Sequence, residues 1–328
     1  MKKTNLFQVK HLANRGNFKR IEKPFLFKMN NSTGQFNGTV DPVHTHDCII
    51  FRLGLYTVLG FFCILGFIGN AISISVLSKD HTSPIARFLL QTISLADNAF
   101  LCIWIMQYTI RYYIEYALGG AGNSPAWLYT RVFTFPLLYM AQTETIWLTV
   151  VIALNRYMAV CKPYLGARYC NTPITVYREV AVVTAFSILY NLPRYFELKV
   201  VETGNGTASW APANYTANYY YRVIYTDGFY QLFSFILPLI ILAYVNINVT
   251  LAYRAAQKRK QKMIGRARKE TNENNITLVM IIIVLVFMLC LAPARIVQLV
   301  TQYKYDHCHE TAFYVIHVVN VLEVSYFL

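Results

Sequence analysis

Charge is what this sequence has least of. Only 14% of its 328 residues are Asp, Glu, Lys or Arg, where a soluble globular chain carries about 25%. The exposed surface of a water-soluble domain cannot be assembled from so little. Acids are the scarcer sign, 16 against 30 bases. The formal net charge of +14 would suit a nucleic-acid partner. The bases, however, fall in short segments between apolar runs, where membrane proteins place them on the cytoplasmic side. No glycine-rich phosphate loop and no His-Glu-x-x-His pair occurs, which removes the nucleotide-binding and zinc-protease signatures. The cysteines, Cys48, Cys63, Cys102, Cys161, Cys170, Cys290 and Cys308, are scattered and make neither a dense disulfide framework nor a zinc spacing.

What the chain has in excess is apolar sequence, 55% of residues, gathered into long runs. About 20 apolar residues cross a bilayer as helix. Seven segments qualify: Leu53–Leu77, Phe88–Tyr113, Val132–Val160, Val180–Phe196, Phe229–Ala252, Ile276–Val300 and Ala312–Leu328. Bases dominate alternate connections: Lys79 and Arg87, then Lys162, Arg168 and Arg178, then a cluster from Arg254 to Lys269. Acids sit in the others, at Glu115, Glu197, Glu202, Asp227, Asp306 and Glu310. The predicted fold is therefore an all-α integral membrane bundle of seven helices with the N-terminus outside. Glycosylation acceptors agree with that orientation: Asn30, Asn31 and Asn37 in the tail, Asn205 and Asn214 between the fourth and fifth spans. Residues 1–52 read as an outside tail and 53–328 as the bundle. A basic stretch up to Lys28 precedes the sequons, and translation from Met29 would leave residues 1–28 out of the working protein.

Polar residues inside the spans carry the chemistry, since ionisable groups in hydrocarbon are costly and mark function. Asp97 lies near the middle of the second span, with Asn70 on the first and Thr145 on the third as candidate partners. The three read either as a pocket for a small cation, sodium being the candidate, or as a protonated packing cluster. No other cofactor is expected. The third span carries Tyr139, Gln142, Thr143 and Glu144 at mid-depth and ends in Asn155-Arg156-Tyr157. Pro293 kinks the sixth span, and His317, Asn320 and Glu323 share a face of the seventh.

Asn70, Ser94-Leu95-Ala96-Asp97, Asn155-Arg156-Tyr157 with Pro163, Pro238 and Phe287…Cys290…Pro293 follow one another on consecutive spans. That ordered set resembles the rhodopsin-like (class A) G-protein-coupled receptors over about residues 50–328. Trp147-Leu148-Thr149 and Tyr190-Asn191-Leu192-Pro193-Arg194-Tyr195-Phe196-Glu197 resemble invertebrate FMRFamide-type neuropeptide receptors. The resemblance implies a multi-pass plasma-membrane receptor, not an enzyme, that passes binding of a short peptide to a heterotrimeric G protein. It makes Arg156, flanked by Asn155 and Tyr157, the G-protein contact, and Tyr164 a side chain inserted into that partner. Pro293 with Phe287 becomes the hinge. Glu273, 20 residues before Pro293 and so about 30 Å away along a helix, becomes the resting partner of Arg156.

Departures from the family pattern set further expectations. Asn155 replaces the usual acid, which should raise basal signalling. Arg131 stands where the third span usually offers a cysteine, and residues 171–289 contain none, so the usual disulfide is absent. Cys48 and Cys308 are the thiols left outside, where they could pair. The expected Asn-Pro-x-x-Tyr does not occur before Leu328, which reads as a seventh span cut short or a degenerate receptor that does not signal. Leu138 replaces the aspartate of amine receptors, and residues 312–328 hold no lysine for retinal. The loop tyrosines Tyr215, Tyr219, Tyr220, Tyr221 and Tyr225, with Trp210, offer an aromatic surface suited to a peptide. Gln142, Arg194, Glu197, Arg295, Gln298 and His317 are the expected ligand contacts, with Gln142 deepest and able to pair with an amidated C-terminus. A seven-helix transporter or channel is the rival class; it would need repeated discontinuous helices.

Overall fold

The computed structural model describes residues 42–79, 84–117, 125–169, 172–203, 207–218 and 220–264, with Pro293, Ile296, Val321 and Val324. The apolar runs become helices: α1 (Pro42–Lys79), α2 (Pro84–Trp104), α3 (Arg111–Ala117), α4 (Pro125–Cys161), α5 (Pro163–Tyr169), α6 (Pro173–Asn191) and α7 (Leu237–Ile264). Five of these begin on proline, whose fixed φ suits the first turn and whose missing N–H costs nothing there. Among the described residues, five stretches are long and apolar enough to span a membrane: Leu53–Lys79, Pro84–Ile114, Leu128–Cys161, Pro173–Phe196 and Leu232–Ala256. They match the first five predicted spans. The sixth and seventh fall outside the described residues, except for the four isolated positions.

The third span is the centre of the bundle, with α4 packed against α2, α6 and α7. Toward α1 and α2 it adds Leu138 and Ala141 to a cluster holding Tyr56, Leu59, Cys63, Phe100, Leu101 and Trp104. Val324 of the predicted seventh span is buried in the same cluster. Toward α7, Ile146, Val150 and Ala153 meet Leu242, Val245 and Val249. The opposite faces stay apolar and uncovered, as at Ile72, Leu95, Val182 and Ile247, which is what lipid contact requires. Between helices in lipid the driving force is close packing and interhelical hydrogen bonding rather than escape from water. Gly60 shows how close the packing is: a Cβ built there would stand 2.7 Å from the Thr109 hydroxyl oxygen.

Two spans depart from regular helix. The second passes through a wide π turn, Ile105–Ile110, between α2 and α3. That turn aims Thr109 at the carbonyl of Tyr56 (3.0 Å) and Gln107 at Thr134 and the carbonyl of Arg131 on α4. The helix of the fifth span begins ahead of its apolar stretch, because the tyrosine-rich residues 221–229 already wind as π turns. A second π segment, Leu232–Ile236, precedes α7, and Pro238 deprives it of one backbone donor. In that segment the Leu237 N–H reaches the Leu232 carbonyl, five residues back. The next N–H in that series would be that of residue 238, and proline has none. The Phe233 carbonyl takes its proton from the Trp147 indole of α4 instead, at 3.1 Å. Outside the membrane lies the one sheet of the described residues, a hairpin of β1 (Leu198–Thr203) and β2 (Thr207–Pro212). Its register runs from Leu198 opposite Pro212 to Thr203 opposite Thr207.

Trp147→Phe should strand that carbonyl in a low-dielectric site and lower stability by about 1–3 kcal/mol. Adding Pro238→Ala returns a backbone donor, so the double variant should regain part of the lost melting temperature in detergent. A double variant no more stable than Trp147→Phe would refute the assignment.

Candidate functional site

The outer ends of the third, fourth and fifth spans meet around Arg194. After Asn191, α6 tightens into a 3-10 turn, Leu192–Phe196, with Pro193 in its first turn. The tightening turns Arg194 into the bundle, where its side chain is 4% exposed. Its guanidinium carbon lies 4.0 Å from the ring centre of Tyr139, 4.7 Å from that of Tyr230 and 6.0 Å from that of Tyr225. A buried charge needs such partners, and aromatic faces attract cations most where water is excluded. Its Nε donates to Asn191 Oδ1 at 3.3 Å, and Nη1 is 3.7 Å from Glu197 Oε2. That separation exceeds hydrogen-bond range, so the attraction is mainly coulombic.

The network continues into each neighbour. Tyr230 donates its hydroxyl to Gln142 Oε1 at 2.9 Å, and the Tyr139 and Tyr230 rings meet edge to face. Asn191 donates to Thr143 at 3.0 Å. Tyr221 donates to Glu197 Oε1 at 2.9 Å, and Tyr225 to the carbonyl of Tyr190 at 2.6 Å. Burial raises the Tyr221 phenol above its ordinary range, and the Glu197 carboxylate adds to the effect. Tyr225 is pushed up to about 12, chiefly by burial and against the lowering influence of Arg194. Both therefore stay protonated donors at neutral pH.

Of the six expected ligand contacts, Gln142, Arg194 and Glu197 are thus joined in one network. Arg295, Gln298 and His317 lie outside the described residues. Sequence reading did not single out Tyr230, which sits in an apolar run. Its signal was spacing: Tyr221, Tyr225 and Tyr230 are four and five apart, the rhythm of a helix wider than α. Tyr221 and Tyr225, read as loop residues, belong instead to a helical lead-in that precedes the membrane-spanning stretch of the fifth span.

Deeper in the bundle, Thr145 stands beside Asp97, and Asp97 Oδ1, Asn70 Nδ2 and Thr145 Oγ1 are each buried without a hydrogen bond of ordinary geometry among the described residues. A carboxylate and a hydroxyl are hard oxygen donors. The Asn70 amide could turn to offer its oxygen, since the two ends of an amide are assigned from their surroundings. The donor set therefore fits a small cation. Glu144 is engaged elsewhere, accepting from Thr184 at 2.8 Å.

At the cytoplasmic end, Asn155 donates to the Val151 carbonyl and to Glu179 Oε2 of α6, both at 3.1 Å. The acid missing beside Arg156 in sequence thus has a counterpart one helix away. Arg156 is half-buried and makes no hydrogen bond or ion pair with the described residues. Tyr157 packs against Tyr244 of α7, ring centres 6.2 Å apart. Tyr164 projects from α5 at 78% exposure. Gly166 holds α5 against the end of α4, since a Cβ there would come within 2.8 Å of the Met158 carbonyl oxygen. Glu273 and Phe287 lie outside the described residues, and Pro293 is helical. Asn214 opens a 3-10 turn and accepts from Lys199 at 3.1 Å. The other acceptors, Asn30, Asn31, Asn37 and Asn205, are outside the described residues, as are Cys308 and the side chain of Cys48.

A helix bundle of this kind, with polar networks inside and apolar faces outside, is a multi-pass membrane protein. The model of the rhodopsin family of 7 transmembrane receptors matches residues 69–325, and the chain belongs to that family, a class of receptors rather than enzymes. It is similar to the FMRFamide receptor of Drosophila melanogaster, 27% identical over 214 residues, covering 61% of this chain and 37% of that protein. It is also similar to the FMRFamide peptide receptor frpr-18 of Caenorhabditis elegans, 28% identical over 203 residues, 61% of this chain and 46% of the relative. The Sex peptide receptor of Drosophila melanogaster is 28% identical over 218 residues, 61% of this chain and 48% of the relative. The chain thus spans less than half the length of each of these relatives.

The Glu179 contact alters what Asn155→Asp should do. Alone it sets two carboxylates about 3 Å apart in a part-buried site, and the melting temperature in detergent should fall. Asn155→Asp with Glu179→Gln restores a neutral donor and should recover it. Equal melting temperatures for the single and double variants would disprove the pairing.

Proposed function

We propose that this chain is a plasma-membrane receptor for a short neuropeptide and that it signals through a heterotrimeric G protein. The observation that carries the reading is the Arg194 network, in which Gln142, Glu197 and three tyrosine rings line the outer junction of three spans. The names of the relatives, which include FMRFamide receptor and Sex peptide receptor, support a peptide rather than an amine or retinal. Aromatic rings with polar tips suit peptide backbone and apolar side chains, and Gln142 at the floor suits a terminal amide.

A ligand seated there touches Tyr230 and Gln142, hence both α4 and the π-turned start of the fifth span. Shifting the fifth span against α4 disturbs the Tyr157–Tyr244 contact at the other end of the same two helices. That contact adjoins Arg156 at the cytoplasmic end, where exposed Tyr164 extends the surface offered to a G protein. Only a ligand that favours the shifted arrangement drives this change.

With FMRFamide as the probe peptide and a G-protein readout in cells, Gln142→Ala and Arg194→Ala should each lower potency at least about tenfold, some 1.4 kcal/mol. Arg156→Ala should abolish signalling while leaving peptide binding intact. Undiminished potency in both pocket variants would sink the assignment of the site.

We also propose that Asp97, with Asn70 and Thr145, holds sodium. When bound, the ion would supply a positive charge that lets the carboxylate stay ionised in the bundle. Sodium chloride, compared with choline chloride at equal ionic strength, should raise the melting temperature of the wild type and not of Asp97→Asn. An equal rise in both would leave the three residues as a packing cluster.

A further inference from the structure

A two-stranded hairpin is marginally stable by itself in water, and the β1–β2 hairpin stands between the fourth and fifth spans with nothing covalent to hold it. No cysteine occurs from residue 171 to residue 289. Both strands lie against α4, and the polar ties of the hairpin to the neighbouring turns converge on one residue. The Glu197 carbonyl accepts the Ala213 N–H at 2.8 Å, closing the open end of the hairpin just beyond β2. The Glu197 N–H donates to the Arg194 carbonyl at 3.2 Å. Its carboxylate reaches two further elements: Oε1 accepts from Tyr221 at 2.9 Å, and Oε2 lies 3.7 Å from Arg194 Nη1. Tyr215, just past the hairpin, adds a weaker tie to the Pro193 carbonyl at 3.4 Å and packs edge-on against Tyr221.

We propose that Glu197 is the fastening of this hairpin: a charged pin that joins the hairpin, the 3-10 turn after α6 and the first π turn of the fifth span. It is a positioning residue, setting where the hairpin sits relative to Arg194 and its tyrosines. Without the carboxylate, the backbone bonds at residues 197 and 213 and the contact with α4 would be left to hold the hairpin. The carboxylate restrains it further because its two oxygens are claimed from different elements. Fastened by charge and hydrogen bonds, the hairpin keeps its place in reducing conditions.

The proposed function enters this inference only in making the Arg194 network beside the hairpin a ligand site. The test needs no ligand, so either idea can fail while the other stands. Backbone hydrogen exchange is followed by mass spectrometry on the full chain in lipid nanodiscs. In Glu197→Ala, amides of residues 198–212 should exchange about tenfold faster, while those of α4 keep their wild-type rates. Glu197→Gln, which retains an acceptor for Tyr221 but loses the charge, should fall between. Tyr221→Phe deletes one hydroxyl from an otherwise intact protein and should also speed the hairpin. Dithiothreitol should leave the wild-type hairpin unchanged. Hairpin rates unchanged in Glu197→Ala and Tyr221→Phe, equal acceleration of the hairpin and α4, or release of the wild-type hairpin by reductant would each overturn the proposal.

Discussion

Hydrocarbon offers no hydrogen bonds, so every polar group carried into a bilayer must be met by another part of the protein. Among the described residues most of those meetings fall on the third span. Along α4, Gln142 meets Tyr230, Thr143 meets Asn191, Glu144 meets Thr184, Trp147 meets the Phe233 carbonyl and Asn155 meets Glu179. Each pairing crosses to the fourth or fifth span. The helix is held in rotation and depth by rungs spread from Gln142 to Asn155. Apolar packing between the rungs adds contact but little directional restraint, since lipid tails compete for the same surfaces.

The same constraint explains where the backbone gives way. A wide turn in a membrane helix misaligns carbonyls that must find donors elsewhere. In the fifth span Trp147 of α4 supplies that donor to the Phe233 carbonyl, while the π segment of the second span ties to α4 through the Gln107 side chain, which donates to Thr134. π turns inside helices often mark functional places, and those of the fifth span border the Arg194 site. Pro238 belongs to this arrangement, because the N–H it lacks leaves the carbonyl that Trp147 satisfies. The irregularity at the outer end and the regular helix at the cytoplasmic end are parts of one span, so movement at one is felt at the other.

Much of this was readable from the chain, and the reasons differ by residue. Asp97, Asn70 and Arg156 stood out because a polar group in an apolar run has few innocent explanations. Gln142 stood out for the same reason, Arg194 and Glu197 for their charge at the outer end of the fourth span, and the three prove to be joined in one network. Tyr230 did not, because a tyrosine in an apolar span is unremarkable until its hydroxyl has a partner. Glu179 was hidden among loop charges, 24 residues from the Asn155 it pairs with. The early helical start of the fifth span escaped notice because tyrosines lower hydropathy without opposing helix. Nothing local in Leu198–Pro212 distinguished a hairpin from an irregular loop.

The sequence by itself determined which segments enter the membrane, which way they run and which few residues bring chemistry inside. Those properties follow from local composition, since transfer into lipid and attraction of bases to the cytoplasmic side act on each segment separately. Only the tertiary structure decided who meets whom: that Arg194 is surrounded by Tyr139, Tyr225 and Tyr230, that Asn155 finds Glu179, and that Glu197 closes the hairpin. Those choices depend on how each helix is rotated and how deep it sits against α4. A pattern along one helix names the groups needing partners, and the packing of neighbouring helices supplies them.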